Sequence, residues 1–171
     1  MRVQVPVSMH REGEAPGAVP NRDSFVNIEL PVQEADAAKR VLAVNQQMRA
    51  RKQDRDAEQL YAVFADVGHV SRRAFEIAHR IASNPHIFAL SVSNVRGPAG
   101  IHYLAGGEIR EVYSLAEIAP RHALRVSAIS FGGRLAIGLN ADGDAIPELL
   151  DLAEGVDRSL VELTGSVGAV G

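Results

Sequence analysis

The order of patterns along this chain predicts an α/β fold: a mixed-sheet, two-layer sandwich. Three observations carry that prediction. Runs alternating apolar and polar residues open the chain and return after residue 86. Between them, apolar residues recur at three- and four-residue spacing. A further stripe of that spacing closes the chain. Strands, then helices, then mostly adjacent strands, then a helix describe one sheet covered by helices.

The elements follow in order. Arg2 to Met9 alternates into Val3, Val5 and Val7, as a half-buried strand does. His10 to Asp23 is rich in Gly, Pro and charge and reads as an exposed loop. Ser24 to Val32 sets Val26, Ile28 and Leu30 on one face and Phe25, Asn27 and Glu29 on the other, a second strand. Ala38, Val41, Leu42, Asn45 and Met48 mark a helix from about Glu34 onward. Leu60, Val63, Phe64 and Val67 mark a second, ended by Gly68. Val70, Ala74, Ile77 and Ile81 mark a third, ended before Pro85. Strands resume at about Ile87 to Val95, near His102 and Tyr103, and at Glu108 to Tyr113. Leu124 to Phe131 and Arg134 to Asn140 form a hairpin, because Gly132-Gly133 suits a tight primed turn. Asp144 is placed to cap a last helix with Pro147 in its first turn and Leu149, Leu152, Val156, Leu160 and Leu163 as its stripe. The tail from Gly165 to Gly171 is expected to fray. No internal repeat or central linker interrupts residues 1–171, which read as one domain.

Composition narrows the function. The 171 residues are enough for one substantial core. Hydrophobic content of 46%, charged content of 23% and a net charge of −3 give no electrostatic case for nucleic acid. Three Tyr, five Phe and no Trp leave little to stack on single strands. Without cysteine there are no disulfides or thiolate metal sites, which fits a cytoplasmic protein. Met1 to Pro6 shows no apolar signal-peptide region. The apolar runs fall short of the roughly 20 residues a membrane helix needs. Any contact with membranes or lipid droplets is therefore expected to be peripheral.

The candidate site lies on the strand before Pro98. Phe88, Leu90 and Val92 point one way and form a packed face. Ala89, Ser91 and Ser93 point the other way and are all small. A closely packed helix explains small residues there; so does the wall of a narrow tunnel. Asn94 to Gly97 ends the strand. Turn chemistry accounts for that stretch, since Asn tolerates unusual backbone angles and Gly97-Pro98 breaks the ladder. The other reading has Ser93 and Asn94 donating hydrogen bonds near a reacting group, with Arg96 pairing with a phosphate. Lys39, Arg40, Arg49, Arg51, Lys52 and Arg55 form a basic cluster diluted by Asp54, Asp56 and Glu58. It suits a helix C-terminus, or attraction to anionic lipid or a phosphate.

Several chemistries are not signalled. Asn140-Ala141-Asp142-Gly143-Asp144 fails as a calcium loop: the glycine is misplaced and the twelfth position is Asp151, not Glu. The six histidines, His10, His69, His79, His86, His102 and His122, lack metal-ligand spacing, so no metal is assigned. There is no Gly-x-Ser-x-Gly, phosphate loop or dinucleotide fingerprint.

Ser93-Asn94-Val95-Arg96-Gly97-Pro98 resembles the Ser-Asn-Val-Pro-Gly-Pro block in the C-terminal half of bacterial wax ester synthase/diacylglycerol acyltransferases, with Arg96 in place of a proline. Val5-Pro6-Val7-Ser8 resembles that family's first strand. Asn21-Arg22 with Phe25 to Pro31, preceded by Pro20 in place of glycine, resembles the next. Leu104-Ala105-Gly106-Gly107, the hairpin from Leu124 to Leu139 and the segment Asp142 to Pro147 also fit. The blocks recur in order and span nearly the whole chain. The resemblance implies the C-terminal lobe of the chloramphenicol acetyltransferase-like (CoA-dependent acyltransferase) fold, in which two lobes enclose a tunnel.

Further expectations follow from that resemblance. The reaction it implies is transfer of an acyl group from acyl-CoA, as substrate and with no cofactor, to a long-chain alcohol or diacylglycerol hydroxyl. The family's base sits in a His-His-x-x-x-Asp-Gly motif of the N-terminal half, and this chain contains no such motif. The chain is thus expected to be half of an acyltransferase, inactive alone. No catalytic residue is assigned to it. Ser91, Ser93, Asn94, Arg96 and Gly97 are the candidate substrate- or CoA-binding residues. The rival expectation is a stand-alone module that binds acyl-CoA, lipid or another protein. Such a module would cover its would-be docking face by homo-oligomerisation or by polar substitution. A decayed, inactive product is a third reading.

Overall fold

The computed structural model describes residues 1–8, 23–54, 84–98 and 100–168, with residues 73, 76 and 77. The second helix read in the sequence lies outside the described residues. Of the third, Arg73, Glu76 and Ile77 are described, as helical.

Five strands form one mixed sheet in the order β2-β1-β3-β6-β7. They are β1 (Arg2–Ser8), β2 (Asp23–Glu29), β3 (Leu90–Arg96), β6 (Leu124–Phe131) and β7 (Arg134–Ala141). The outer pairs β1/β2 and β6/β7 are antiparallel, and β3 runs parallel to both of its neighbours. A separate hairpin joins β4 (Tyr103–Leu104) to β5 (Gly107–Glu108). The helices are α1 (Ala37–Gln53) and α2 (Leu149–Gly168). The expected mixed-sheet α/β architecture is borne out.

Alternation decides the two faces of the sheet. Val3, Ile28 and Leu90 pair in register and form a buried cluster, against which Val92, Leu124 and Val126 pack from the sheet and Val44 and Met48 from α1. Burying each such side chain contributes about 1.5–3 kcal/mol. Asp36 caps α1 by accepting the Lys39 N–H at 3.1 Å. That hydrogen bond, foremost, holds the Asp36 carboxyl below its ordinary value. Gln47 ties the helix to the sheet: its amide accepts the Glu29 N–H and donates to the Glu29 carbonyl, both at 2.8 Å. It thus satisfies backbone groups on the outer edge of β2.

The Gly132-Gly133 turn forms as expected, with φ of 56° and 77°. Two expectations need correction. The alternation over Glu108 to Tyr113 does not make a strand: only Gly107–Glu108 joins a ladder, and the chain beyond runs extended with no strand beside it. Nor does Asp144 cap the last helix. The Asp142 carboxylate accepts the Asp144 and Ala145 N–H groups at 3.0 and 3.3 Å, making a turn, and α2 begins at Leu149, beyond Pro147.

Candidate functional site

The face of the sheet opposite α1 holds the small residues singled out on β3. Register aligns Asn27, Gln4, Ser91, Arg125 and Asn140 across the strands, a polar row spanning all five. Beside it, Ser93 faces Ser127, and Ser127 faces Gly138. Ser91 is 3% exposed and its Oγ donates to Gln4 Oε1 at 3.4 Å. Ser93 is half-buried.

Two atoms of this row are buried without a hydrogen-bond partner among the described residues: Asn27 Oδ1, an acceptor, and Arg125 Nε–H, a donor. A buried polar atom that finds no partner costs about 1–3 kcal/mol.

Over β6 and β7 the same face is covered by the extended segment 109–118, here called the strap. Ser127 Oγ, 3% exposed as a residue, donates to the Ser114 carbonyl at 2.7 Å, and Asn140 Nδ2 donates to the Ala116 carbonyl at 3.0 Å. Gly138 permits this approach. A Cβ there would stand 2.5 Å from the Ser114 oxygen. His122 anchors the far end, stacked on buried Phe88 with centroids 4.2 Å apart and its Nε2 3.1 Å from the Phe88 carbonyl. Glu111 pairs with Arg134 at 2.8 Å and accepts the Tyr113 hydroxyl at 2.8 Å. That hydrogen bond and the carboxylate charge raise the Tyr113 pKa above 10.0.

The structure therefore divides the candidate residues. Ser91 and Ser93 share the polar face. Asn94 and Arg96 alternate to the other face, opposite Ala128 and Ser130, and are exposed. Among the described residues Arg96 makes no ion pair. Gly97 has a packing reason: its N–H donates to the Ser130 carbonyl at 2.8 Å, and a Cβ would overlap that oxygen. Arg125, Asn27, Gln4 and Asn140 were not singled out in the sequence. The available signal was one arginine inside the otherwise small and apolar strand Leu124–Phe131.

The basic cluster resolves in part. Arg40 is held by the Glu34 and Ala35 carbonyls at 2.9 and 2.8 Å and stands 3.9 Å from Glu162. Arg51 and Lys52 occupy the last turn of α1, where cations complement the helix dipole. Arg55 lies outside the described residues. No helix among the described residues is long and apolar enough to cross a membrane.

Comparison with known proteins adds an independent line. The model of a family described as the WS/DGAT C-terminal domain matches residues 20–164. A Mycobacterium tuberculosis protein, named as a candidate diacylglycerol O-acyltransferase, is 29% identical over 174 residues, covering 99% of this chain and 35% of its own. Another protein of that name and species is 26% identical over 166 residues, covering 93% and 32%. The solved wax ester synthase/diacylglycerol acyltransferase from Marinobacter aquaeolei superposes with a TM-score of 0.66 at 21% identity, over 98% of this chain and 36% of that one. The chain spans about a third of the length of the curated relatives it matches.

Proposed function

The chain belongs to the WS/DGAT family, as its C-terminal domain, and from that premise we propose that it serves as the non-catalytic half of an acyl-CoA-dependent O-acyltransferase. In this reading a second half carries His-His-x-x-x-Asp-Gly. Its histidine deprotonates the hydroxyl of a long-chain alcohol or diacylglycerol. The resulting oxygen attacks the acyl-CoA thioester, and CoA leaves as the thiol. No further cofactor takes part. The work is cytoplasmic, with contact to lipid surfaces peripheral.

The present half holds and positions. Its polar face offers a small, half-buried side chain at Ser93, against which an extended substrate can lie, while Ser91 is buried beside it. Asn94 and Arg96 stand on the opposite face, so any contact they make with substrate comes from the rim beyond the strand end.

The family match over residues 20–164 carries this proposal. The threefold greater length of the relatives supports a half-enzyme over a stand-alone module. The test is CoA release from long-chain acyl-CoA with alcohol or diacylglycerol. The purified chain is expected to give none above background, and addition of a half bearing His-His-x-x-x-Asp-Gly is expected to restore it. Release by the chain alone would refute the reading.

A further inference from the structure

A turn follows the strap, and its own residues do not favour its shape. The His122 N–H donates to the Ala119 carbonyl at 3.0 Å, with Pro120 second in the turn and Arg121 third, at a φ of 66°. Proline second, a left-handed residue third and that hydrogen bond are the marks of a type II turn. Proline serves a type I turn equally well, and type I leaves the third residue right-handed. Left-handed backbone suits glycine; for arginine it is a strain that a neighbouring interaction must offset. The two turns differ by a flip of the Pro120–Arg121 peptide, which reverses the Pro120 carbonyl.

The His122 ring holds that carbonyl. Its Nδ1 lies 3.0 Å from the Pro120 oxygen and its Nε2 3.1 Å from the Phe88 oxygen, while the ring stacks on Phe88. Both partners are carbonyl oxygens, which only accept. A neutral imidazole has one N–H and one lone pair; an imidazolium has two N–H groups. Only the imidazolium satisfies both contacts. The Phe88 contact is part-buried, so breaking it strands an acceptor away from water, whereas the Pro120 contact is exposed and its carbonyl can hydrate. A neutral ring therefore keeps its proton on Nε2 and sets the Nδ1 lone pair against the Pro120 oxygen.

We propose that His122 is a proton-operated latch on this turn. The imidazolium holds the Pro120–Arg121 peptide in the type II form; loss of the Nδ1 proton lets the peptide flip to type I, with Arg121 returning to right-handed backbone. The turn sets the direction in which the strap enters β6. Other charges about the ring are engaged elsewhere or unpaired with it. Arg2, whose carbonyl accepts the Ala89 N–H, pairs with Glu29. Asp142, whose N–H donates to the Ala123 carbonyl, accepts the Asp144 and Ala145 N–H groups. Among the described residues His86, Glu117, Arg121, Arg125 and Asp144 form no ion pair with His122. The inference is independent of the half-enzyme reading.

NMR of the 171-residue chain tests it, reading the His122 ring nitrogens and the Arg121 backbone shifts together. At about pH 5 both ring nitrogens should carry protons and Arg121 should show left-handed shifts. At about pH 8 the ring should be the Nε2–H tautomer, and the ratio of left- to right-handed Arg121 should fall about five- to thirtyfold. In Arg121→Gly the ring should still lose its proton while residue 121 stays left-handed at both pH values. His122→Phe, which keeps an aromatic ring on Phe88, should leave Arg121 right-handed at both. A ring with a single proton at about pH 5 overturns the proposal. So does an Arg121 that stays left-handed at about pH 8 in the unmodified chain, or one that changes hand with pH in His122→Phe. If His122→Phe does not fold, the unmodified chain and Arg121→Gly decide between the same outcomes.

Discussion

Replacing Gly138 by alanine tests how the strap is seated. The added Cβ would lie 2.5 Å from the Ser114 carbonyl oxygen, 3.7 Å from its carbon and 3.0 Å from Ser127 Oγ. The Ser114 oxygen is backbone and cannot swing aside, so the strap must lift. Lifting stretches the 2.7 Å hydrogen bond from Ser127 to Ser114, and Ser127 is 3% exposed with water unable to take over. The lost partner costs about 1–3 kcal/mol, and overpacking costs about 1–3 kcal/mol. These overlap, and alanine recovers a few tenths as a better strand former than glycine. The net expectation is a loss of about 2–4 kcal/mol in urea unfolding. For a chain of this size that lowers the melting temperature by about 5–15 °C. Gly107→Ala is the control, because its nearest new neighbour is Leu104 O at 3.5 Å; a change under about 0.5 kcal/mol is expected. In the Gly138→Ala background, Ser127→Ala should cost less than in the wild type. A Gly138→Ala protein within about 0.5 kcal/mol of wild type would refute the close seating of the strap.

Four further outcomes follow. Gly97→Ala should destabilise by about 2–4 kcal/mol in urea, since its Cβ overlaps the Ser130 oxygen that accepts the Gly97 N–H. Asp36→Asn keeps a cap but removes the charge. Because the folded Asp36 carboxyl sits below its ordinary value, its contribution is full above pH 3.8 and lost as pH falls lower. The stability gap between wild type and Asp36→Asn should therefore close on acidification, and a gap that widens contradicts the cap. Spectrophotometric titration should find Tyr113 above 10.0, and Glu111→Gln should bring it down; no movement would show that the pair does not form. Arg125→Met should leave the lone chain as stable as wild type or up to about 1 kcal/mol more so, because it removes a buried donor with no acceptor among the described residues.

Local chemistry was legible in the sequence and non-local pairing was not. The hairpin Leu124 to Asn140 followed from two adjacent glycines, and the alternation of Leu90 and Val92 against Ser91 and Ser93 read correctly because it is a property of one strand. What faces Ser91 and Ser93 depends on parallel pairing with β6, some thirty residues on, and no local pattern encodes that register. Arg125 went unnoticed for the same reason. It is one residue in a strand until the sheet aligns it with Asn27 and Asn140. Glu108 to Tyr113 carried a true alternation, but a strand needs a neighbour, and here side chains hold the segment instead. Asp142 and Asp144 compete for one turn within three residues, and the loop geometry that selects Asp142 is invisible to a pattern of residue types. Ser93, Asn94 and Arg96 sit in one motif yet serve different faces, Ser93 on one and Asn94 with Arg96 on the other.

The central claim is that this domain works joined to a half that holds the catalytic base. The most direct measurement is the native size and composition of the particle that contains it in source cells, by immunoprecipitation under mild conditions and mass spectrometry. The account predicts a particle more than twice 18.3 kDa that includes a His-His-x-x-x-Asp-Gly sequence, in the same polypeptide or beside it. A particle of 18.3 kDa, or a larger one made only of copies of this domain, would contradict it.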